Sequence, residues 1–155
     1  MQTSYPRLIW SQRQRKIKIH LRKIQSLVEI AILFCFEKPR YPHSRLPKVI
    51  EITFLNDRMI SQVHAQFLQD PTPTDVITFA HSDELGEILI GIPTVALHAQ
   101  KFQENVDHEV ARCVIHGLLH LLDYDDQTVQ EYEIMHALQE AVLKEAITKR
   151  KSSLL

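Results

Sequence analysis

With 155 residues, 45% of them hydrophobic and 24% charged, the chain has the make-up of a soluble globular domain able to bury a core without disulfide staples. Its apolar run "IAILFCF" is too short to span a bilayer, and Glu29 before it and its distance from Met1 argue against a secretion signal, so a cytoplasmic protein is expected. The formal net charge of −1 conceals opposite halves: residues 1–50 carry 11 Lys/Arg against Glu29 and Glu37, and residues 51–155 carry 7 Lys/Arg against 17 Asp/Glu.

The first apolar stretch, "RLIWSQ", reads as a short edge strand. The basic run "RQRKIKIHLRK" follows at residues 13–23. It is either an electrostatic footprint for phosphates or the solvated face of a helix. From Ile17 to about Phe36, Ile17, Leu21, Ile24, Leu27, Val28, Ala31 and Cys35 recur at helical spacing and predict a core-facing helix. The segment "EKPRYPHSRLP" holds three prolines in eleven residues and must be a connection. "KVIEITFLN" alternates as a strand does, and Asn56 or Asp57 can cap a helix running to about Leu68.

A Pro-bounded turn opens "QDPTPTDVITFA" and leads into a strand over Val76–Ala80. The strand "GEILIGI" comes after the short turn "HSDELG", close enough for an antiparallel hairpin. Pro93 suits the first turn of a helix through about Gln103. Asp107 is a plausible cap for a helix over about His108 to Leu122, and a last helix runs from Thr128 to about Thr148. The order β-α-β-α-β-β-α-α-α predicts an α+β fold in one domain over residues 1–155, a small mixed sheet of about four strands packed by about five helices. Cys35 and Cys113 lie inside apolar runs without metal or redox spacing and read as buried hydrophobes.

The chemistry concentrates in "HGLLHLLDYDD", residues 116–126. The helix that carries it is apolar nearly all round and should be buried, so its two histidines need partners. His116 and His120 are four apart, one above the other on one face, where two imidazoles can converge on one ion or stay core histidines bonded to backbone or water. Asp123 tolerates the left-handed conformation that ends helices, and the turn after it can bring Asp125 or Asp126 back toward the rings. Two neutral nitrogens and one carboxylate oxygen, with a fourth position open, make a catalytic zinc arrangement, and Asp126 is the preferred third ligand. A zinc peptidase of the HExxH type needs a glutamate where this chain has Gly117, which instead allows a close approach by packed backbone or by a bulky substrate.

These residues carry a family resemblance. "HGLLHLLDYDD" resembles the "HGxLHLxGYDH" motif of the YbeY family, bacterial endoribonucleases of ribosomal RNA maturation, and "PTDVITFA" at residues 73–80 resembles its "PTDVLSFP" signature. Leu85-Gly86-Glu87-Ile88 is similar to its "LGDI" strand, and the likeness covers roughly residues 48–145. The resemblance implies an α+β fold and one zinc per chain. It also implies single-strand-specific RNA cleavage in 16S rRNA 3′-end maturation and ribosome quality control, with ribosomal RNA and ribosomal subunits as partners. The first two family ligands carry over to His116 and His120, and catalysis is expected to depend on His116. The third family histidine is Asp126 here, the glycine after the second histidine is Asp123, and the asparagine and arginine before the second signature stand as His64 and Leu68.

Arg112, one turn before His116, either compensates in part for that arginine or is an ordinary helix-surface residue. Thr74 and Asp75 are expected near the cleft, Asp75 as a partner for a ligand histidine or as a structural turn residue. Arg13, Arg15, Lys16, Lys18, Arg22 and Lys23 are expected to hold the RNA backbone without reading sequence. Two other classes stay open: a non-catalytic ribosome-associated assembly factor that keeps the fold, and a metal hydrolase of other specificity. Manganese or nickel remain alternatives to zinc for a His-His-Asp site.

Overall fold

Alternation along Val49–Leu55 (β2) sends Ile50, Ile52 and Phe54 to one side of a sheet, fully excluded from solvent, and Glu51 and Thr53 to the other. Leu85–Gly91 (β4) repeats the pattern, with Ile88 and Ile90 on the same side as the β2 core residues. Arg7–Gln12 (β1) and Val76–Ala80 (β3) complete four strands in the order β1-β2-β4-β3. The computed structural model describes residues 5–35 and 37–153, so Phe36, the expected end of the first helix, lies outside the described residues.

β1 runs parallel to β2 (Arg7 opposite Val49), β2 parallel to β4 (Val49 opposite Leu85), and β3 antiparallel to β4 (Val76 opposite Ile90). Parallel neighbours require crossovers. Leu21–Cys35 (α1) joins β1 to β2, and Asp57–Leu68 (α2) with β3 lies between β2 and β4. Ile92–Lys101 (α3), Val106–Leu121 (α4) and Val129–Ser153 (α5) follow. The expected α+β fold, with a mixed sheet and five helices, is the fold of the described residues. None of these helices is long and apolar enough to cross a membrane.

The helices divide unequally between the two faces. α1, α4 and α5 pack together over Ile50, Ile52, Phe54, Ile88 and Ile90, and α4 is central, with Val110, Val114, Ile115 and Leu118 all at 0% exposure. Among the described residues, α2 alone covers the other face, placing Ile60 against Leu55, Ile77 and Leu89. Cys35 and Cys113 are buried as expected, and burial pushes the Cys35 thiol up to about 12 and the Cys113 thiol well above its ordinary value.

Three boundaries differ from the sequence reading. α1 begins at Leu21 rather than Ile17, because the buried Gln14 side chain accepts from the Ile17 N–H and donates to its carbonyl (both 2.9 Å), competing with a helical turn. α4 is capped by Asn105, whose side chain accepts from His108 N, and not by Asp107, which is buried within the first turn. α5 runs on to Ser153. A reciprocal Thr128–Glu131 pair starts it, the hydroxyl accepting from Glu131 N (3.1 Å) and donating to its carboxylate (2.9 Å).

Two glycines set how closely the layers approach. At Gly117 a Cβ would stand 2.9 Å from Ile88 and 3.0 Å from the Thr78 hydroxyl, so the glycine admits side chains of the sheet, rather than backbone or substrate, against α4. At Gly91 a Cβ would fall 2.1 Å from the Thr74 carbonyl oxygen. Gly91→Ala must displace the segment before β3, and we expect a loss of about 2 kcal/mol, read from the midpoint of urea unfolding.

Candidate metal centre

α4 ends where chemistry requires it to end. Asp123 has φ 72°, its N–H bonds the His120 carbonyl (3.0 Å), and the Tyr124 N–H bonds the Leu119 carbonyl (3.0 Å). This pairing satisfies two of the last carbonyls of the helix and reverses the chain. Ser44 anchors the turn by donating to Asp123 Oδ2 (2.8 Å), and the Tyr124 hydroxyl donates to the Lys38 carbonyl (2.8 Å). The reversed chain delivers Asp126 back to the two histidines. Asp125 stays outside the group and accepts from Asp126 N (2.8 Å).

Both imidazoles are held by the nitrogen that faces away from Asp126. His116 Nδ1 meets Gln139 Oε1 at 2.8 Å, and His120 Nδ1 meets the Tyr124 carbonyl at 3.1 Å. Gln139 donates its own amide to Glu140 (3.2 Å), which turns its oxygen toward His116. Each acceptor demands an N–H at Nδ1, so both Nε2 atoms carry lone pairs. These lone-pair nitrogens lie 3.1 Å apart, and Asp126 Oδ2 lies 3.4 Å from one and 3.6 Å from the other.

An ion about 2.0–2.1 Å from each of three tetrahedral ligands holds them roughly 3.3–3.4 Å apart. The observed triangle has that size. His116, His120 and Asp126 are the one group of three or more such residues that could hold a metal ion among the described residues. Burial holds the His116 imidazole below its ordinary pKa, against the Gln139 hydrogen bond and Asp126, so its neutral, ligating form is the resting one at pH 7.

Two cavities flank the triad. One, about 390 Å³, is lined by Asp75, Val76, Arg112, Tyr132, His136 and Gln139, with His116 and Asp126 at its edge. The other, about 400 Å³, is lined by β3, Leu68 and Gln127, with His116, His120 and Asp126. Leu68, where the resemblance expects arginine, thus borders the centre with an exposed side chain. His64 instead donates Nδ1–H to the Thr72 carbonyl (2.8 Å) and shapes the turn ahead of β3.

The remaining residues singled out from sequence are placed unevenly. Asp75 lines the first cavity, but its Oδ1 accepts from Val76 N (2.8 Å) and the Thr74 hydroxyl (3.5 Å) and bonds neither ligand histidine. Arg112 is already paired with Glu109 and with Glu140 (3.0 Å). Arg13, Arg15, Lys16 and Lys18 lie in the β1–α1 connection rather than on a helix, while Arg22 and Lys23 begin α1. His20 ties that connection to Asp107, nine residues before His116 and hence about 14 Å away along α4. Arg13 lines a separate cavity on the α2 side of the sheet.

Sequence reasoning missed Gln139, the residue that orients His116. A signal was there: Gln139 sits in register with Met135, Val142, Leu143 and Ala146, a polar residue in an otherwise apolar stripe. The Tyr124 carbonyl that orients His120 had no such signal, since any residue supplies one.

Fold and site together define a small α+β protein with an accessible centre of two imidazoles and one carboxylate. A family profile described as Endoribonuclease YbeY matches residues 9–147. Among similar proteins, the Endoribonuclease YbeY of Chlamydia trachomatis serovar D (strain ATCC VR-885 / DSM 19411 / UW-3/Cx) is 33% identical over 156 residues, covering 90% of this chain and 88% of that protein. The Endoribonuclease YbeY of Heliobacterium modesticaldum (strain ATCC 51547 / Ice1) is 29% identical over 137 residues, covering 77% and 81%. The solution structure of TM1509 from Thermotoga maritima shares the fold, with a TM-score of 0.64 and 21% identity over 94% of this chain and 93% of that one. The chain belongs to the YbeY endoribonuclease family.

Proposed function

We infer that this chain is a metal-dependent endoribonuclease that cuts single-stranded RNA, acting in the cytoplasm on the 3′ end of 16S rRNA and in ribosome quality control. The observation that carries the reading is the triangle of two Nε2 lone pairs and one carboxylate oxygen, in a chain of the YbeY family. His116, His120 and Asp126 would hold one zinc per chain, which when bound supplies Lewis acidity toward a phosphate oxygen and acidifies water.

The chain's own residues do the positioning. Gln139 and the Tyr124 carbonyl lock both rings in the ligating tautomer before any substrate arrives. The cavities on either side of the triad leave room for a polynucleotide to pass across it. Gly117 supports the nuclease over a peptidase: no carboxylate stands there, and Ile88 and Thr78 leave no space for one.

The test is cleavage of a single-stranded oligonucleotide drawn from the 3′ region of 16S rRNA, against its duplex. We expect the single strand alone to be cut and His116→Ala to abolish the cut. Cleavage that persists in His116→Ala removes the reading. One observation favours a second one: Leu68 borders the centre where the resemblance expects arginine, and Arg112 is already bound to two carboxylates. Binding to ribosomal subunits without turnover in added zinc would select that reading, a non-catalytic assembly factor.

A further inference from the structure

The cavity on the α5 side of the triad is wrong in charge for a phosphate. Among the described residues its one guanidinium, Arg112, is neutralised by Glu109 and Glu140, and no other lysine or arginine lines it to face Asp75 and Asp126. It is well made for a flat heterocycle. Tyr132 and His136, one turn apart on α5, stack with ring centroids 5.4 Å apart and planes at 13°, and Tyr132 is 50% exposed. Met135 is buried behind them, and Val76 closes the β3 side.

An unused acceptor completes the cavity. Asp75 spends Oδ1 on Val76 N, while Oδ2 has no hydrogen-bond donor among the described residues; His98 Nδ1, at 3.9 Å, lies beyond hydrogen-bond distance. A π-face, apolar contacts and a free carboxylate oxygen are what an amino-bearing nucleobase needs, since aromatic rings stack bases and carboxylates accept from exocyclic amino groups. This cavity and the β3-side cavity share Val76, His116 and Asp126, so the triad stands between them. An RNA strand with one phosphate at the triad therefore places a nucleoside in each.

The geometry points to the α5-side cavity as a nucleobase subsite beside the scissile phosphate. It stacks the base on the Tyr132–His136 pair and, through Asp75, prefers bases with an exocyclic amino group to uracil. The subsite rests on the endoribonuclease reading, and its test separates the two.

The probes are cytidine and uridine, which carry no phosphate for a metal to hold, titrated into the full chain and followed by NMR. We expect cytidine to shift the signals of Tyr132, Met135 and His136, and uridine to bind at least about fivefold more weakly. Tyr132→Ala should weaken cytidine roughly tenfold, within the range that loss of a stacking ring produces, and Tyr132→Phe should not. Asp75→Asn should erase the difference between the nucleosides. In RNA cleavage, Tyr132→Ala should raise KM and leave kcat nearly unchanged, with Tyr132→Trp restoring KM.

The subsite is overturned if neither nucleoside perturbs those signals, or if Tyr132→Ala leaves both nucleoside affinity and KM unaltered. Turnover that needs His116 without any nucleoside binding keeps the nuclease and removes the subsite. Nucleoside binding without turnover does the reverse.

Discussion

We expect Asp126→Ala to abolish metal binding: on the proposed reading, zinc retained after dialysis should fall from one per chain to near none, and RNA cleavage should fall with it. Two imidazoles four apart on a helix would supply only two corners of a coordination tetrahedron, and among the described residues the third would come from Asp126, on the loop that Asp123 turns back. Losing a partner that merely orients a ligand costs roughly 10- to 100-fold in metal affinity, so losing a ligand should cost about a hundredfold or more. Asp126→His should keep the metal, since an imidazole fills the same corner. It should also move the pH–activity profile to lower pH, because removing a carboxylate unmasks the ion's field. Elemental analysis of the three proteins checks the first point, and unchanged zinc in Asp126→Ala would refute the assignment.

The second large effect is on stability. Asp107 is 2% exposed, accepts from the His20 backbone N–H (2.9 Å) and ring (2.8 Å), and lies 3.8 Å from Lys23 Nζ. It fastens the β1–α1 connection to the first turn of α4 across 87 residues of chain. Breaking a buried pair costs about 3–5 kcal/mol when an uncompensated charge stays buried. Here the His20 side chain is 64% exposed and can turn to water, so that full penalty does not apply. The loss of two hydrogen bonds to a charged acceptor, each worth about 1.5–3 kcal/mol, puts the expected loss for Asp107→Ala at about 3 kcal/mol. Asp107→Asn keeps an acceptor for the backbone N–H and should lose less. Urea unfolding measures both, and zinc content should not change in either; a midpoint that stays put in Asp107→Ala would rule out the latch.

Asp107 also shows where a local reading stops. An acidic residue before a helical pattern looks like a cap, and one stands there, but Asn105 two residues earlier does the capping because its side chain reaches His108 N. Asp107 is then free to serve a distant segment. The basic run 13–23 shows the same limit: its charge was legible, but its place at the far end of α4 from the triad follows from the His20–Asp107 bond.

By itself, the sequence determined whatever repeats within one element. Period-two and helical apolar spacing laid out four strands and five helices in order, the four-residue separation of His116 and His120 put both rings on one face, and Asp123 ended the helix in a left-handed residue. These are legible because backbone geometry relates neighbours at fixed offsets. Tertiary structure alone decided what lies between elements: that Gln139 locks His116, that Ile88 and Thr78 fill the space at Gly117, that Arg112 is committed to two carboxylates, and that Tyr132 and Asp75 share a cavity. Such pairs are joined by packing across long stretches of chain, and no local periodicity encodes which distant side chain will arrive.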